Sequence, residues 1–511
     1  MRLQNRFYTC AIWCLSLSFS GLLSTAWSQV SSTLINSTNA AIDTIRKRDC
    51  SITIANSNGQ ALSGLAVSVK QIRHHFGFGA AIGYNILSDT NLQKVFLNHF
   101  EWAVFDNDLK WPATDPTADG PDYSRADSLL AFCQKNGLNV RGHNLFWNQK
   151  SDWLPTWTLT LNTTDFKSAV DKRIENALPH YKGKIPQWDI ANEVIHGTEF
   201  ETRTGNQNIW NYIFDKCRKT DSTLKLAIND FNIIERYSDI DKYITKINAI
   251  RNPSSGTKGP IDIIGLEGHF GGDLNQTDYK AKLDKIAAVG LPLWFTEVDF
   301  SVAKNVRADR FEELIRTSFA NAKVEGFMMW TFWQGNLWRT DLTSFIADSV
   351  TYAINDLGVR YESLMKLWTT AANGSTNTSG KYSFRGFQGR YVVTTTLGGG
   401  GTQVDTIYLE PGQGAKAVSI VIRNTRIAVN RTDPSSGRTF RINGTPVTIS
   451  AVFGATDKLF VSLYSTSGRL LSRQRVGPNT RDLSVNVSTG CYIIGVGTST
   501  ETLATSRISL H

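Results

Sequence analysis

The sequence predicts an α/β chain built on a closed barrel of eight alternating β-strands and α-helices, with a β extension before it and β segments after it. Three observations predict this. Between about Phe76 and Trp333, eight short apolar runs alternate with stretches of helical period. Each run begins apolar and ends in polar or aromatic residues, the gradient expected where the C-terminal strand ends form the working face of such a barrel. The length, 511 residues, exceeds one ordinary domain and leaves room for flanking units.

In chain order, Arg2 and Arg6 precede an apolar run from Ala11 to Leu23, and the small residues Ala26 and Ser28 stand before Gln29. This reads as a signal peptide over 1–28. The run is too short for the roughly 20 residues of a spanning helix, so the expectation is a secreted or cell-surface protein with no membrane insertion of the mature chain. An N-terminal β extension follows at 45–75 and the barrel at 76–370. Its eight runs are "FGFGAAIG", "WAVFDNDLKW", "NVRGHNLFWN", "IPQWDIANE", "LKLAINDFN", "IDIIGLEGHF", "LPLWFTEVDF" and "EGFMMWTFWQG". Helices are predicted between them at Tyr123–Lys135, Asp165–His180, Asn208–Thr220 and Ala308–Val324. A β segment packed on the barrel is expected at 371–446. It opens with a polar turn, "NGSTNTSG", at 373–380, and carries a mobile turn at "LGGGG". From 447 to 511 the pattern is that of a small β-sandwich.

Composition narrows the function classes. Hydrophobic residues make up 41% and charged residues 19%, which is globular, and the 14 Trp suit sugar stacking as well as a large core. The formal charge of +9 comes from scattered Lys and Arg, so nucleic acid is not an expected partner. Without the leader the cysteines are Cys50, Cys133, Cys217 and Cys491, too sparse for a disulfide scaffold. One bridge stays open. With no CxxC and no Cys/His cluster, neither a metal nor a cofactor is expected in the chemistry, and the chain is expected to be a monomer.

The strand ends then name a site. In order they carry Asp106, Asn107, Lys110 and Trp111; His143 and Trp147; Asn192 and Glu193; Asn229, Asp230 and Asn232; Glu267 and His269; Glu297 and Asp299; Trp330 and Trp338. Glu193 closes the fourth run, in "WDIANEVIHG", as Glu297 closes the seventh, in "WFTEVDF". Glycoside hydrolysis requires two carboxyl groups facing one bond, and strand ends across a barrel mouth can supply them. A single glutamate at a strand end is as well explained by a structural salt bridge. Two of them, flanked by His, Asn and Trp from other strands, point to catalysis.

The motifs "RGHNLFWN", "WDIANE", "INDFN", "GLEGHF", "FTEVD" and "WTFWQGNLW" resemble the strand-end motifs of glycoside hydrolase family ten, mostly retaining endo-β-1,4-xylanases. The similarity runs from about Ile45 to Thr396 and is closest to the plant-like branch. The resemblance implies Glu193 as general acid/base and Glu297 as nucleophile, with xylan as the polysaccharide substrate. It implies that Asn192 meets the sugar 2-hydroxyl and that His269 positions Glu297. Asn107, Lys110 and His143 would grip the glycone sugars, and Trp147, Trp330 and Trp338 would form the aromatic floor and walls. Glu267 is expected among the substrate-binding residues, although the family usually has Gln there. The family also has Glu where Asp106 stands, Gln where Lys150 stands, and often Tyr where Phe231 stands. Such departures bear on sugar subsites and leave the two catalytic positions untouched. Related β-1,4-glycanase activity on other glucans or aryl glycosides, or a silent glycan-binding protein, are the alternatives. The tail, with "STSGRLL" and "VSTGCYIIGV", resembles the sorting domain of type IX secretion cargo, which implies secretion machinery as a partner; a carbohydrate-binding or fibronectin-like module is the rival.

Overall fold

The computed structural model describes residues 30–149, 153–235, 239–254, 256–272, 274–330, 332–339, 342, 344–346, 348, 350–397 and 401–422, and then the strands at 440–443, 447–451, 459–465, 470–476, 482–485, 490–497 and 502–510. The expected leader and Lys150 lie outside them. The chain divides into two compact units. One comprises Met1–Lys47, Arg73–Thr369 and Phe387–Gly389, the other Arg48–Ile72, Thr370–Gly386 and Arg390–His511.

The first unit is the barrel. Its strands are β1 (Gly77–Ile82), β2 (Trp102–Phe105), β3 (Asn139–Gly142), β4 (Gln187–Asn192), β5 (Lys225–Asn229), β6 (Ile263–Leu266), β7 (Leu293–Ser301) and β8 (Val324–Met329). Each lies parallel to the next, and β8 returns to β1 with Phe327 opposite Phe78, which closes the sheet. Every residue of β1 and β4 is buried. That is why the strands read as continuous apolar runs, since parallel strands covered on both faces have no solvent side to alternate toward.

Helices cover the outside. Thr163–Tyr181 turns Phe166, Val170, Ile174 and Ala177 inward at helical spacing, and Asn162 caps it, its Oδ1 accepting the Asp165 N–H at 3.0 Å. The predicted helix at Ala308–Val324 is in fact Arg307–Phe319, because Val324 already opens β8. The carbonyls left at that helix end are taken up by Arg46, whose guanidinium donates to Phe319 O, Asn321 O and Val324 O at 2.7, 2.6 and 2.7 Å. Arg46 ends a helix, Ser32–Arg46, that the sequence pattern did not announce. Among the described residues no helix is long and apolar enough to cross a membrane.

The second unit joins segments read separately in the sequence. Lys47–Ala55 lies between Lys381–Phe387 and Lys416–Val421, and Ala66–His74 between Ala371–Ser375 and Gly389–Thr396, which pairs on to Thr402–Leu409. The expected polar turn at 373–380 is partly strand, with Asn373 opposite Ser68. Alternation along these strands buries Cys50, Ile52 and Ile54 with Val67, Val69, Tyr391 and Val393 in a core of their own. In the tail, Phe440–Asn443 pairs with Val447–Ala451 and that with Asp482–Val485, and Leu470–Val476, Leu459–Ser465, Gly490–Gly497 and Thr502–Leu510 form a second, four-stranded antiparallel sheet.

Candidate active site

Two strands of the barrel are irregular where they approach the working face. The pairing of β4 with β5 slips between Asp189 and Ala191, and that of β7 with β8 slips between Phe295 and Val298. Such irregularities re-aim side chains next to them. Just past the first, Glu193 has φ +58°, a left-handed conformation that a non-glycine residue keeps only when its surroundings hold it. Its N–H donates to Asn229 O at 2.8 Å. Glu297 lies at the second, its N–H donating to Glu267 O at 2.9 Å. It does not close its strand, as the sequence suggested. β7 continues to Ser301 because His269–Gly271 adds on beside it, with His269 opposite Asp299.

Asn229, at the end of β5, ties these strand ends together. Its Nδ2 lies 2.8 Å from Asn192 Oδ1, 2.9 Å from Glu297 Oε1 and 3.3 Å from Glu267 Oε1, while its Oδ1 accepts from Thr296 Oγ1 at 2.7 Å. The space for this amide is made by Gly265, where a Cβ would stand 2.1 Å from Asn229 Oδ1. On the other side of Glu297, His143 Nδ1 lies 3.7 Å from Oε1 and His269 Nε2 lies 3.6 Å from Oε2. His143 is held by Asp189, at 3.0 Å, and Asp189 is gripped in turn by both terminal nitrogens of the fully buried Arg141. His269 Nδ1 lies 2.9 Å from Asp299 Oδ2, and Asp299 also accepts the indole N–H of Trp338 at 2.7 Å.

The two glutamates are pushed in opposite directions. Burial raises the Glu193 carboxyl to about 7, against the pull of Trp147 and Gln149, whose amide donates to Oε2 at 2.8 Å. Burial also disfavours an ionised Glu297, yet the positive charges of His143, His269 and Lys110 outweigh it and hold the carboxyl at about 2. Burial, then the charges of Glu297 and Glu193, push Glu267 well above the usual carboxylate range. Burial works against a charged His269, but Asp299, Glu267 and Glu297 overcome it and hold the imidazole well above its ordinary value.

An aromatic wall stands opposite. Lys110 is buried, its Nζ donating to Asn107 Oδ1 at 2.8 Å and lying 4.7, 4.8 and 5.8 Å from the ring centres of Trp147, Trp153 and Trp330. Trp147 and Trp153 stack at 4.1 Å, and Trp330 meets His143 edge-on at 5.3 Å. Trp338, 52% exposed, packs against His269 at 5.3 Å. Asn107, Lys110, His143, Trp147, Asn192, Glu267, His269, Trp330 and Trp338 thus surround the two glutamates in one network.

Several members escape a reading of the sequence. Gln149, which the sequence reading did not single out, donates its amide to Glu193 Oε2. Trp153 extends the wall, and Asn229, visible in the sequence only as a strand end, is the hub. Arg141 and Asp189 carry a legible signal, a charged residue inside each of two adjacent apolar runs. Among the described residues, Glu267, His269 and Glu297 are grouped as a metal-binding set would be, their donor atoms within 4.8 Å of one another. The His269 nitrogens already face carboxylates on both sides, so the set is an ion-pair network and no metal is assigned to it.

Comparison with known proteins identifies the family of the barrel. The family described as glycosyl hydrolase family 10 matches residues 68–355. The chain is 39% identical over 381 residues to anti-sigma-I factor RsgI6 of Acetivibrio thermocellus, covering 74% of this chain and 49% of that protein. It is 33% identical over 355 residues to endo-1,4-beta-xylanase 1 of Arabidopsis thaliana, covering 69% and 36%. The chain thus spans half or less of the length of these relatives. The crystal structure of xylanase 10B from Thermotoga petrophila, in complex with xylobiose, shares the fold, with a TM-score of 0.52 at 20% identity over 57% of this chain and 94% of that one. With the family matching more than half of its length, over the segment that builds the barrel and its site, this chain belongs to glycosyl hydrolase family 10.

Proposed function

We propose that the chain is a secreted endo-β-1,4-xylanase that cleaves the xylan backbone with retention of configuration, Glu193 acting as general acid/base and Glu297 as nucleophile. The observation that carries the reading is the contrast between the partners of two buried glutamates in one site: Glu193 accepts from the neutral Gln149 amide at 2.8 Å and burial raises its carboxyl, while Glu297 lies between His143 at 3.7 Å and His269 at 3.6 Å, which lower its own. A carboxyl kept as acid beside one kept as anion is the pair that double displacement uses. In the first step Glu297 attacks the anomeric carbon, the bond to the leaving sugar breaks, and Glu193 gives its proton to the departing oxygen. In the second, water adds to the anomeric carbon, its proton passes to Glu193, and Glu297 leaves as a carboxylate. In this reading Asn192, whose Oδ1 accepts from Asn229 Nδ2 at 2.8 Å, meets the neighbouring sugar hydroxyl. Lys110, His143 and the tryptophans supply the charged and stacking contacts that a sugar chain takes.

Xylan as substrate is supported by relatives named endo-1,4-beta-xylanases. Export is supported by the basic, apolar and small-residue sequence of the first 28 positions, and a sorting role for 447–511 by "STSGRLL" and "VSTGCYIIGV". One experiment tests substrate and tail together. Full-length protein and a chain ending at Ile422, before the strand pairs of the tail, are assayed on soluble and insoluble arabinoxylan, glucuronoxylan and mixed-linkage glucan. Both chains should release xylan fragments at equal rates and act slowly on glucan. Preference for glucan would make the protein a related glycanase, and no cleavage at all a silent binder. Selective loss on insoluble xylan in the short chain would show that the tail binds glycan.

A further inference from the structure

One imidazole stands among three carboxylates. His269 Nδ1 lies 2.9 Å from Asp299 Oδ2, and its Nε2 lies 3.3 Å from Glu267 Oε2 and 3.6 Å from Glu297 Oε2. All three carboxylates are buried. Glu267 and Glu297 also share Asn229 Nδ2, at 3.3 and 2.9 Å. Two buried carboxylates that share the same two donors repel each other in a low-dielectric site, so ionising both is costly and one retains a proton.

Which one retains it follows from the remaining partners. Glu297 has His143 at 3.7 Å and the charge of Lys110 besides. Asp299 has His269 at short range and the Trp338 N–H at 2.7 Å. Among the described residues, Glu267 has only the two long side-chain contacts that it shares with Glu297. The titratable groups that face it are Glu297 from β7, Glu193 beyond β4, His269 two residues further along its own segment, Lys110 beyond β2 and Tyr243 from the helix Ile240–Arg251. Glu235, after β5, sits behind it, accepting the Gly268 N–H at 2.9 Å. Of these only His269 and Lys110 bring positive charge, and both are also shared with Glu297.

We infer that Glu267 is the carboxyl that keeps the proton, a neutral acid acting as a positioning residue that leaves Glu297 the one anion beneath Asn229 and His269 Nε2. The inference rests on the reading of Glu297 as nucleophile. A neutral group there lets Glu297 keep the donors undivided, and spares Glu193 a second nearby negative charge.

Full-length protein carrying ¹³C at the glutamate carboxyls tests this directly. The resonance absent from the Glu267→Gln spectrum belongs to Glu267. At about pH 6, where exposed glutamates are ionised, it should still sit at the protonated position. A resonance already ionised there overturns the inference. The pH dependence of kcat/KM on soluble xylan gives a second readout, because Gln replaces a neutral acid without change of charge. The alkaline midpoint should stay within about 0.3 unit of the wild-type value; a fall of more than about half a unit would mean that an ionised Glu267 had been raising Glu193. Should Glu267→Gln not fold, Glu297→Gln serves instead. Two resonances that titrate near or above neutral, those of Glu193 and Glu267, should then move to lower pH, and movement of one alone overturns the inference. A protein that cleaves no xylan at any pH removes the proposed function but leaves the spectra to decide this point.

Discussion

Glu193 and Glu297 have the same side chain, stand on the same face of the same barrel and are both buried, yet their surroundings set them to opposite states. At Glu297 three positive groups converge, His143, His269 and Lys110, each held by another contact: Asp189, Asp299 and Asn107 respectively. At Glu193 the partners are neutral, Gln149 and Trp147, and burial prevails. Burial alone therefore does not decide a carboxyl's role. The count and anchoring of charged neighbours decides it, and those neighbours come from several different strand ends.

The contrast is broken most severely by removing each carboxyl in turn. Glu297→Ala should lower kcat on xylan by on the order of 10⁴-fold or more, with the fold intact by circular dichroism, because no other group at that point attacks carbon. Glu193→Ala should lose about 10²- to 10⁴-fold on xylan, the usual scale of acid–base assistance, and much less on an aryl xyloside whose leaving group needs no proton. Azide should restore part of the lost rate in Glu193→Ala, as a small anion occupying the vacated space. Xylan hydrolysis at the normal rate in either variant would undo the assignment.

The pH profile responds on a smaller scale. On the proposed mechanism Glu297 acts ionised and Glu193 protonated, so kcat/KM should climb as pH rises past about 2, where stability permits, and fall as pH rises past about 7. Gln149 donates to Glu193 Oε2, a bond that favours the ionised carboxylate. Gln149→Ala should therefore raise the Glu193 carboxyl further and move the alkaline midpoint upward by roughly half a unit to one unit, leaving the acid limb in place. A downward move would mean that Gln149 does not stabilise the carboxylate.

How much of this is legible in the sequence depends on how local the signal is. The barrel strands announce themselves because parallel strands buried on both faces are uninterrupted apolar runs, and the site because polar residues at the ends of such runs need a reason. Pairing between Ala66–His74 and Ala371–Ser375 joins segments about 300 residues apart, and nothing in either pattern names the other. The contact of Gln149 with Glu193 lies in a loop, where no periodicity says which way a side chain turns. The left-handed backbone of Glu193 leaves no mark, since it is enforced by tertiary contacts rather than by a glycine. Arg141 and Asp189 are different. A charge inside an apolar run is too costly to bury alone, so opposite charges in two adjacent runs signal that they pair.

Retention requires that a covalent bond to Glu297 form and then be broken by water activated at Glu193, and the configuration of the first product reports on that bond. Proton NMR of xylan or xylo-oligosaccharide hydrolysis in the first minutes, before mutarotation equilibrates the ends, should show the β anomer appearing first and the α anomer growing in later. An α anomer that leads from the start would mean a single displacement by water, and Glu297 would then be a base rather than a nucleophile.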